Sequence, residues 1–212
     1  IDPSLPRAGK HPPHPRLALN IGITGHRATV LTVPIMMALG PKLDEVFSGL
    51  RDAVRKLHKA ERSLLSEAEP ILRLHTPLAT GADQVAATSA RTNGYLVRAL
   101  LPFAPDEYGR DFKRGKENNE FKRQLEIADQ IFALPGDRSD GEAAYVGVGK
   151  AVVAASDILV AVWDGREGNG PGGTAHVVDL ALAASVPVIH VAVDRASGDI
   201  GAIRVISGGD SL

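Results

Sequence analysis

Residues 154–178, AASDILVAVWDGREGNGPGGTAHVV, combine the parts an anion site needs. An apolar run rich in β-branched side chains (Ile158, Val160, Val162) ends at Trp163-Asp164. A glycine-rich stretch follows as far as Gly172-Gly173, and helical spacing begins at Thr174. The order strand, glycine-rich loop, helix offers unpaired backbone N–H groups and the positive end of a helix dipole to a phosphate. Glycine suits the loop because a Cβ would hold the main chain away from the ligand. Taken alone, the segment also reads as a plain surface loop rich in glycine.

Two further turns carry polar groups of the right kind. Gly25-His26-Arg27 follows an apolar run at 17–24 (LALNIGIT). Arg27 suits bidentate pairing with a phosphate, against the alternative of a surface ion pair. His26 suits a ligand hydrogen bond or a turn cap. Thr80-Gly81-Ala82-Asp83 follows a second strand-like run at 70–79, and Asp83 on its own reads more readily as a helix-capping carboxylate than as a ligand contact. His176 reads as a packing residue. The seven His residues are dispersed, and no His or carboxylate cluster has metal-ligand spacing.

The elements that must hold these turns alternate along the chain. Strands are expected at 17–24, at 70–79 with an end near Pro77, at 95–103, at 131–134, at the apolar run before Trp163, and last at 186–193. Between them lie helical patterns. One starts at Gly40-Pro41 and is marked by Leu43, Val46, Phe47, Leu50, Val54 and Leu57. Others run to Thr92, closed by Asn93-Gly94, through a polar stretch with Phe121, Leu125 and Ala128 inward, at 143–155, and from Thr174 to Ala184. Such alternation predicts an α/β fold: a doubly wound, mainly parallel sheet with helices on both faces, a Rossmann-like three-layer sandwich. All three polar turns follow strands and precede helices, which sends them to the carboxyl edge of the sheet. Their convergence at one rim is what makes a site. Residues 1–16, with five prolines and with His11 and His14, read as an extended arm. The folded domain is expected over 17–193 and an irregular tail over 194–212.

Composition narrows the classes of function. Hydrophobic residues make up 44% and charged residues 23% of 212, as in an ordinary soluble domain. A formal charge of −1 argues against a dedicated nucleic-acid binder. Cysteine is absent, which excludes disulfides and thiolate chemistry and suits a cytoplasmic setting. No apolar run reaches the ~20 residues of a membrane helix. The chain begins at Ile1, as a trimmed chain or a piece of a longer protein would. Aromatic content of 4% points to little base stacking, with Trp163, Tyr108 and Phe112 the candidates.

Ile23-Thr24-Gly25-His26-Arg27, Leu78-Ala79-Thr80-Gly81-Ala82-Asp83, Leu101-Pro102-Phe103 with Tyr108 and Asp111-Phe112, and Ser156-Asp157 with Trp163-Asp164-Gly165 and Gly172-Gly173-Thr174 together resemble the SLOG superfamily. This Rossmann-like group includes the lonely-guy phosphoribohydrolases and the Smf DNA-processing proteins. The resemblance spans about residues 17–193 and implies a pocket for a nucleotide-derived small molecule, which could bring Mg²⁺ with it. It places phosphate at Gly172-Gly173-Thr174, Gly25-His26-Arg27 across the pocket, Gly81 and Asp83 near the ribose or a second phosphate, and Asp164 at the floor. It also implies a homodimer, and a role as a sensor within a larger bacterial signalling or defence protein. The hydrolases carry a Glu three positions after the Thr. Here that position is Val177, and the glycine–threonine spacing is shorter by two. Asp179 is expected to point elsewhere. Ligand binding without turnover is therefore the favoured expectation. The alternatives are an N-glycosidase working through Asp83, Asp164 or Glu167, and an interaction domain that has lost its ligand.

Overall fold

A computed structural model describes residues 12–168 and 170–207. Most of the expected arm, His11 included, and the last five residues of the expected tail lie outside the described residues. The sheet has seven strands in the order β4-β3-β2-β1-β5-β6-β7. They are β1 (Ala18–Gly25), β2 (Ile71–Thr76), β3 (Leu96–Leu101), β4 (Gln130–Ala133), β5 (Ile158–Trp163), β6 (Val188–Asp194) and β7 (Asp199–Ile206). Every pairing is parallel except that of β6 with β7. The helices are α1 (Val33–Ala60), α2 (Ala82–Thr92), the single turn α3 (Pro105–Tyr108), α4 (Lys116–Glu126), α5 (Gly141–Ala154) and α6 (Thr174–Ala183).

Helices cover both faces, giving the Rossmann-like three-layer α/β sandwich. On one face Ile35, Leu39 and Leu43 of α1, the alanines of α2 and Phe121 of α4 pack on Ile21, Leu74, Val97 and Val160. On the other, Val148 and Val152 of α5 and Val177, Val178 and Ala181 of α6 pack on Leu159, Ala161 and Val188. The chain steps outward from β1 to β4, then returns to the other side of β1 at β5. The loops after β1 and β5 therefore diverge from adjacent strands, which is the topological switch point where such sheets open a crevice.

Two expectations are corrected. Helix α1 starts at Val33, with Thr32 at its N-cap, and passes through Pro41 instead of starting there. An interior proline costs about 3 kcal/mol. Ile35, Leu39, Leu43 and Phe47 are all fully buried on either side of it, and each contributes roughly 1.5–3 kcal/mol. Burial wins. Within the stretch expected to be irregular, Asp199–Ile206 returns as antiparallel β7, so β6 is not the last strand. Its Ile200 and Ile203 pack against the α1 side of the core, which a reading in search of parallel strands and crossovers passes over.

Candidate functional site

The loops after β1 and β5 and the start of α6 surround a cavity of about 360 Å³ at the switch point. Gly25, His26, Arg27, Asp83, Asp164, Gly172, Gly173 and Thr174 all line it. Of the nine ligand contacts expected from the sequence, Gly81 alone does not. A Cβ there would lie 2.5 Å from the Ala28 nitrogen and 2.6 Å from the His26 carbonyl oxygen, and its φ is +98°. Gly81 thus acts one step back, letting the loop before α2 close against the backbone of the His26 turn. The Ala28 N–H donates to the Thr80 carbonyl at 3.1 Å, and the Ala82 N–H donates to that of His26 at 3.2 Å.

Asp164 is the best-connected carboxylate of the rim. His26 Nε2 lies 3.1 Å from its Oδ1 and 3.3 Å from its backbone nitrogen. One ring nitrogen serves one of these at a time: protonated it donates to the carboxylate, unprotonated it accepts from the amide. Arg195 reaches Oδ2 at 2.5 Å, and the Arg166 N–H donates to Oδ1 at 3.3 Å. Burial alone would raise the pKa of this group. The Arg166 N–H, His26 and Arg195 outweigh it and hold the carboxyl below its ordinary value.

Asp83 behaves oppositely. It lies in the first turn of α2, but Gly81 is the N-cap, and the carboxylate turns back to accept from the Ala79 N–H at 3.2 Å. Burial pushes its carboxyl up to about 7, against the opposing pull of the Ala79 N–H and the Arg27 charge. Tyr108, buried against it, is raised well above the usual phenol range, first by burial and then by the Asp83 charge.

Arg27 sits exposed at the mouth and forms no ion pair among the described residues. Its guanidinium lies 5.6 Å from the centroid of Tyr145, a residue the sequence reading did not single out. The Tyr145 hydroxyl donates to Asp111, and Arg138 binds Asp111 at 2.8 Å and Glu107 at 2.5 Å. The wall that carries Tyr145 is thereby tied to the turn after β3. Phe112 and Tyr108, considered for base stacking, are instead committed to an aromatic cluster with Phe121.

At the glycine-rich turn one amide is already used. The Gly172 N–H donates to His176 Nδ1 at 2.9 Å, so this imidazole carries its proton on Nε2. Gly172 has φ +79°, and a Cβ there would stand 3.0 Å from that of Tyr145. The amides that the helix leaves without internal partners belong to the first turn that opens at Thr174, after the Gly173 N-cap. Of the turn Gly172-Gly173-Thr174, the Gly172 amide is therefore committed within the chain. Val177, standing where the hydrolases carry Glu, is buried beside Gly149 and lines the cavity. Asp179 is exposed and lies off the cavity. Arg195 was missed because it falls in the tail. Its signal was positional, since it follows β6 at the same carboxyl edge, next to β5.

Fold and cavity together define a Rossmann-like α/β domain with a ligand-sized opening at the switch point of its sheet. No protein-family model matches the chain, and no curated protein matches it in sequence. Among solved structures it is similar to DNA processing protein A (DprA) from Streptococcus pneumoniae, with 15% identity and a TM-score of 0.54 over 87% of this chain. That match takes in 53% of DprA, so the chain spans about half the length of that protein. It is also similar to DNA processing protein A from Helicobacter pylori, which binds single-stranded DNA, at 16% identity and TM-score 0.44 over 81% of this chain and 64% of that one. The molybdenum cofactor carrier protein from Chlamydomonas reinhardtii matches at 18% identity and TM-score 0.47, over 85% and 80%. The likeness to the Streptococcus pneumoniae protein is one of fold, a Rossmann-like α/β sandwich. No helix among the described residues is long and apolar enough to cross a membrane.

Proposed function

We propose that this domain binds a nucleotide or nucleotide-derived small molecule and reports its presence without turning it over. The observation that carries this reading is that Arg27, Asp83 and Thr174, from three separate loops, face one cavity of about 360 Å³. That volume is at the lower end of ligand sites, roughly 300–1,000 Å³, and suits a mononucleotide better than a dinucleotide. The phosphate would meet the first-turn amides of α6 and the Arg27 guanidinium, and the ribose hydroxyls would face Asp83 and Asp164. Val177 cannot move a proton, and both oxygens of Asp164 are engaged, which favours binding over catalysis. Among the described residues no group of three or more His, Cys, Asp or Glu side chains could hold a metal ion by itself. Mg²⁺ would therefore arrive on the phosphate.

Calorimetry with nucleoside monophosphates and dinucleotides, with and without Mg²⁺, tests the proposal. Chromatography of the same mixtures looks for free base. Saturable binding of a mononucleotide with no base released is the expected result; robust release overturns the sensor reading. A single-stranded oligonucleotide belongs in the same panel, since the net charge of −1 predicts that it binds more weakly.

One observation favours a second reading, N-glycosidic hydrolysis. The Asp83 carboxyl, held near neutrality, is suited to give or take a proton at physiological pH. Under that reading Asp83→Asn abolishes base release while leaving ligand affinity nearly intact.

A further inference from the structure

Tyr108 ends the single-turn helix α3, and only 1% of it is exposed. Its ring makes edge contacts with Phe112 and Phe121, at centroid distances of 5.2 and 5.3 Å, which fix its position. The hydroxyl is left over. Buried tyrosines ordinarily pair that group. Among the described residues the Tyr108 hydroxyl has no hydrogen-bond partner, and it is not one of the unpartnered atoms sealed inside the protein. Because Tyr108 lines the cavity, its oxygen opens there.

Asp83 offers a second such oxygen. It is 5% exposed and uses Oδ2 to accept from the Ala79 N–H at 3.2 Å. Its Oδ1 has no partner among the described residues and is not sealed either. The two oxygens share one end of the cavity. Tyr108 feels the Asp83 charge, and the Arg27 charge acts on both residues, yet the phenol and the carboxyl are not hydrogen-bonded to each other. A third polar atom can bridge such a pair. Burial first, then the Asp83 charge, hold the phenol protonated far above neutral pH, so it donates. Asp83 Oδ1 accepts when the carboxyl is ionised and can donate when it is protonated. A ligand hydroxyl both donates and accepts, so it satisfies the phenol and either form of the carboxyl. A carbonyl oxygen cannot donate to the ionised carboxyl, and an amine cannot accept from the phenol.

On the reading that a mononucleotide occupies this cavity, we propose that Tyr108 determines which sugar it carries: the Tyr108 hydroxyl and Asp83 Oδ1 together grip one ribose hydroxyl, so the site takes ribonucleotides in preference to deoxyribonucleotides. A phosphate held by Arg27 has its own sugar close by, and the Arg27 charge reaches both gripping groups. Discrimination follows because an analogue without the hydroxyl leaves two buried polar groups unpaired.

Calorimetry on the whole chain and on Tyr108→Phe tests this, using the ribonucleoside 5′-monophosphates of adenine, guanine, cytosine and uracil with their 2′-deoxy and 3′-deoxy forms. The parent chain is expected to bind its preferred ribonucleotide about tenfold or more tightly than at least one of the deoxy forms. Tyr108→Phe should bind that ribonucleotide about tenfold more weakly and leave the affinity for the same deoxy form almost unchanged. The variant keeps the ring cluster and loses no hydrogen bond within the described residues, so its melting temperature should match the parent's. Equal binding of the ribonucleotide and both deoxy forms by the parent overturns the proposal, and this comparison needs no variant. An unaltered ribonucleotide affinity in Tyr108→Phe also overturns it. So does an equal loss for all three ligands, which would set the hydroxyl against another part of the nucleotide. If the parent binds no mononucleotide, the nucleotide reading itself falls and takes this assignment with it.

Discussion

His26 and Asp164, 138 positions apart in the chain, meet with ring nitrogen and carboxylate oxygen 3.1 Å apart. Their contact bridges the loops that leave β1 and β5, the two strands between which the sheet reverses its order. Arg195, arriving from the end of β6, closes on the other oxygen of the same carboxylate. Three strand ends are thus joined through one side chain at the rim of the cavity.

Replacing that carboxylate by an amide of the same shape isolates its charge. Asp164→Asn is expected to lower the free energy of unfolding by about 1–3 kcal/mol at pH 7. Because the folded protein holds this carboxyl below its ordinary value, its contribution is complete above the unfolded value near ~3.9 and disappears on acidification below it. Urea denaturation of both proteins at neutral pH and near pH 3 makes the check. A difference that persists unchanged in acid would mean that the charge is not what holds the three residues together.

Asp83 predicts the opposite slope. Its folded value of about 7 stands above the unfolded ~3.9, so the folded state keeps a proton that the unfolded state has lost. Stability attributable to this residue should fall by a few kcal/mol as pH rises from about 4 to 7 and then level off. Asp83→Asn should flatten that segment of the profile and make the variant the more stable protein at pH 8. Unfolding free energies across the range decide it, and parallel profiles for the two proteins would count against a protonated Asp83.

Arg27 has no acidic partner among the described residues to lose, so its removal should leave stability almost untouched. Arg27→Ala is expected to cost a phosphorylated ligand about 1.5–3 kcal/mol, or roughly 10- to 150-fold in affinity. The corresponding nucleoside should lose little. Calorimetry with the matched pair separates a phosphate contact from a general weakening of the site, which would affect both ligands equally.

Gly81 tests the scaffold behind the cavity. Gly81→Ala combines a left-handed φ of +98° with a Cβ placed 2.5 Å from the Ala28 backbone. The conformational term alone is about 1–2 kcal/mol, and the clash adds to it. The variant should melt at a lower temperature and also bind ligand more weakly, because the His26–Arg27 turn must move to admit the methyl group. Wild-type affinity in a destabilised variant would show that the turn does not depend on this contact.

Much of the fold could be read without coordinates, for reasons visible in individual elements. The apolar runs that become β1, β3 and β5 are bounded by glycine or proline, and helix α2 stops at its Asn93-Gly94 signal. Helix α1 shows where such reading fails. Pro41 carries a local stop signal, while the burial that overrides it comes from strands far away in the chain. Strand β7 failed differently, since its mostly exposed side chains lack a period of two and its pairing with β6 shifts register midway.

For the site, the residue types and the strand–turn–helix order were enough to send Arg27, Asp83, Asp164 and Thr174 to one edge, because parallel strands expose all their carboxyl ends together. Sequence alone also settled what Val177 cannot do. Only the tertiary structure decided how those groups divide their work: that Asp164 is bound on both oxygens, that Asp83 is buried enough to hold its proton, that the Gly172 amide is taken by His176, and that Arg195 and Tyr145 belong to the rim. Those outcomes depend on distances and on burial between segments remote in sequence, and ionisation and hydrogen bonding answer to such distances rather than to order along the chain.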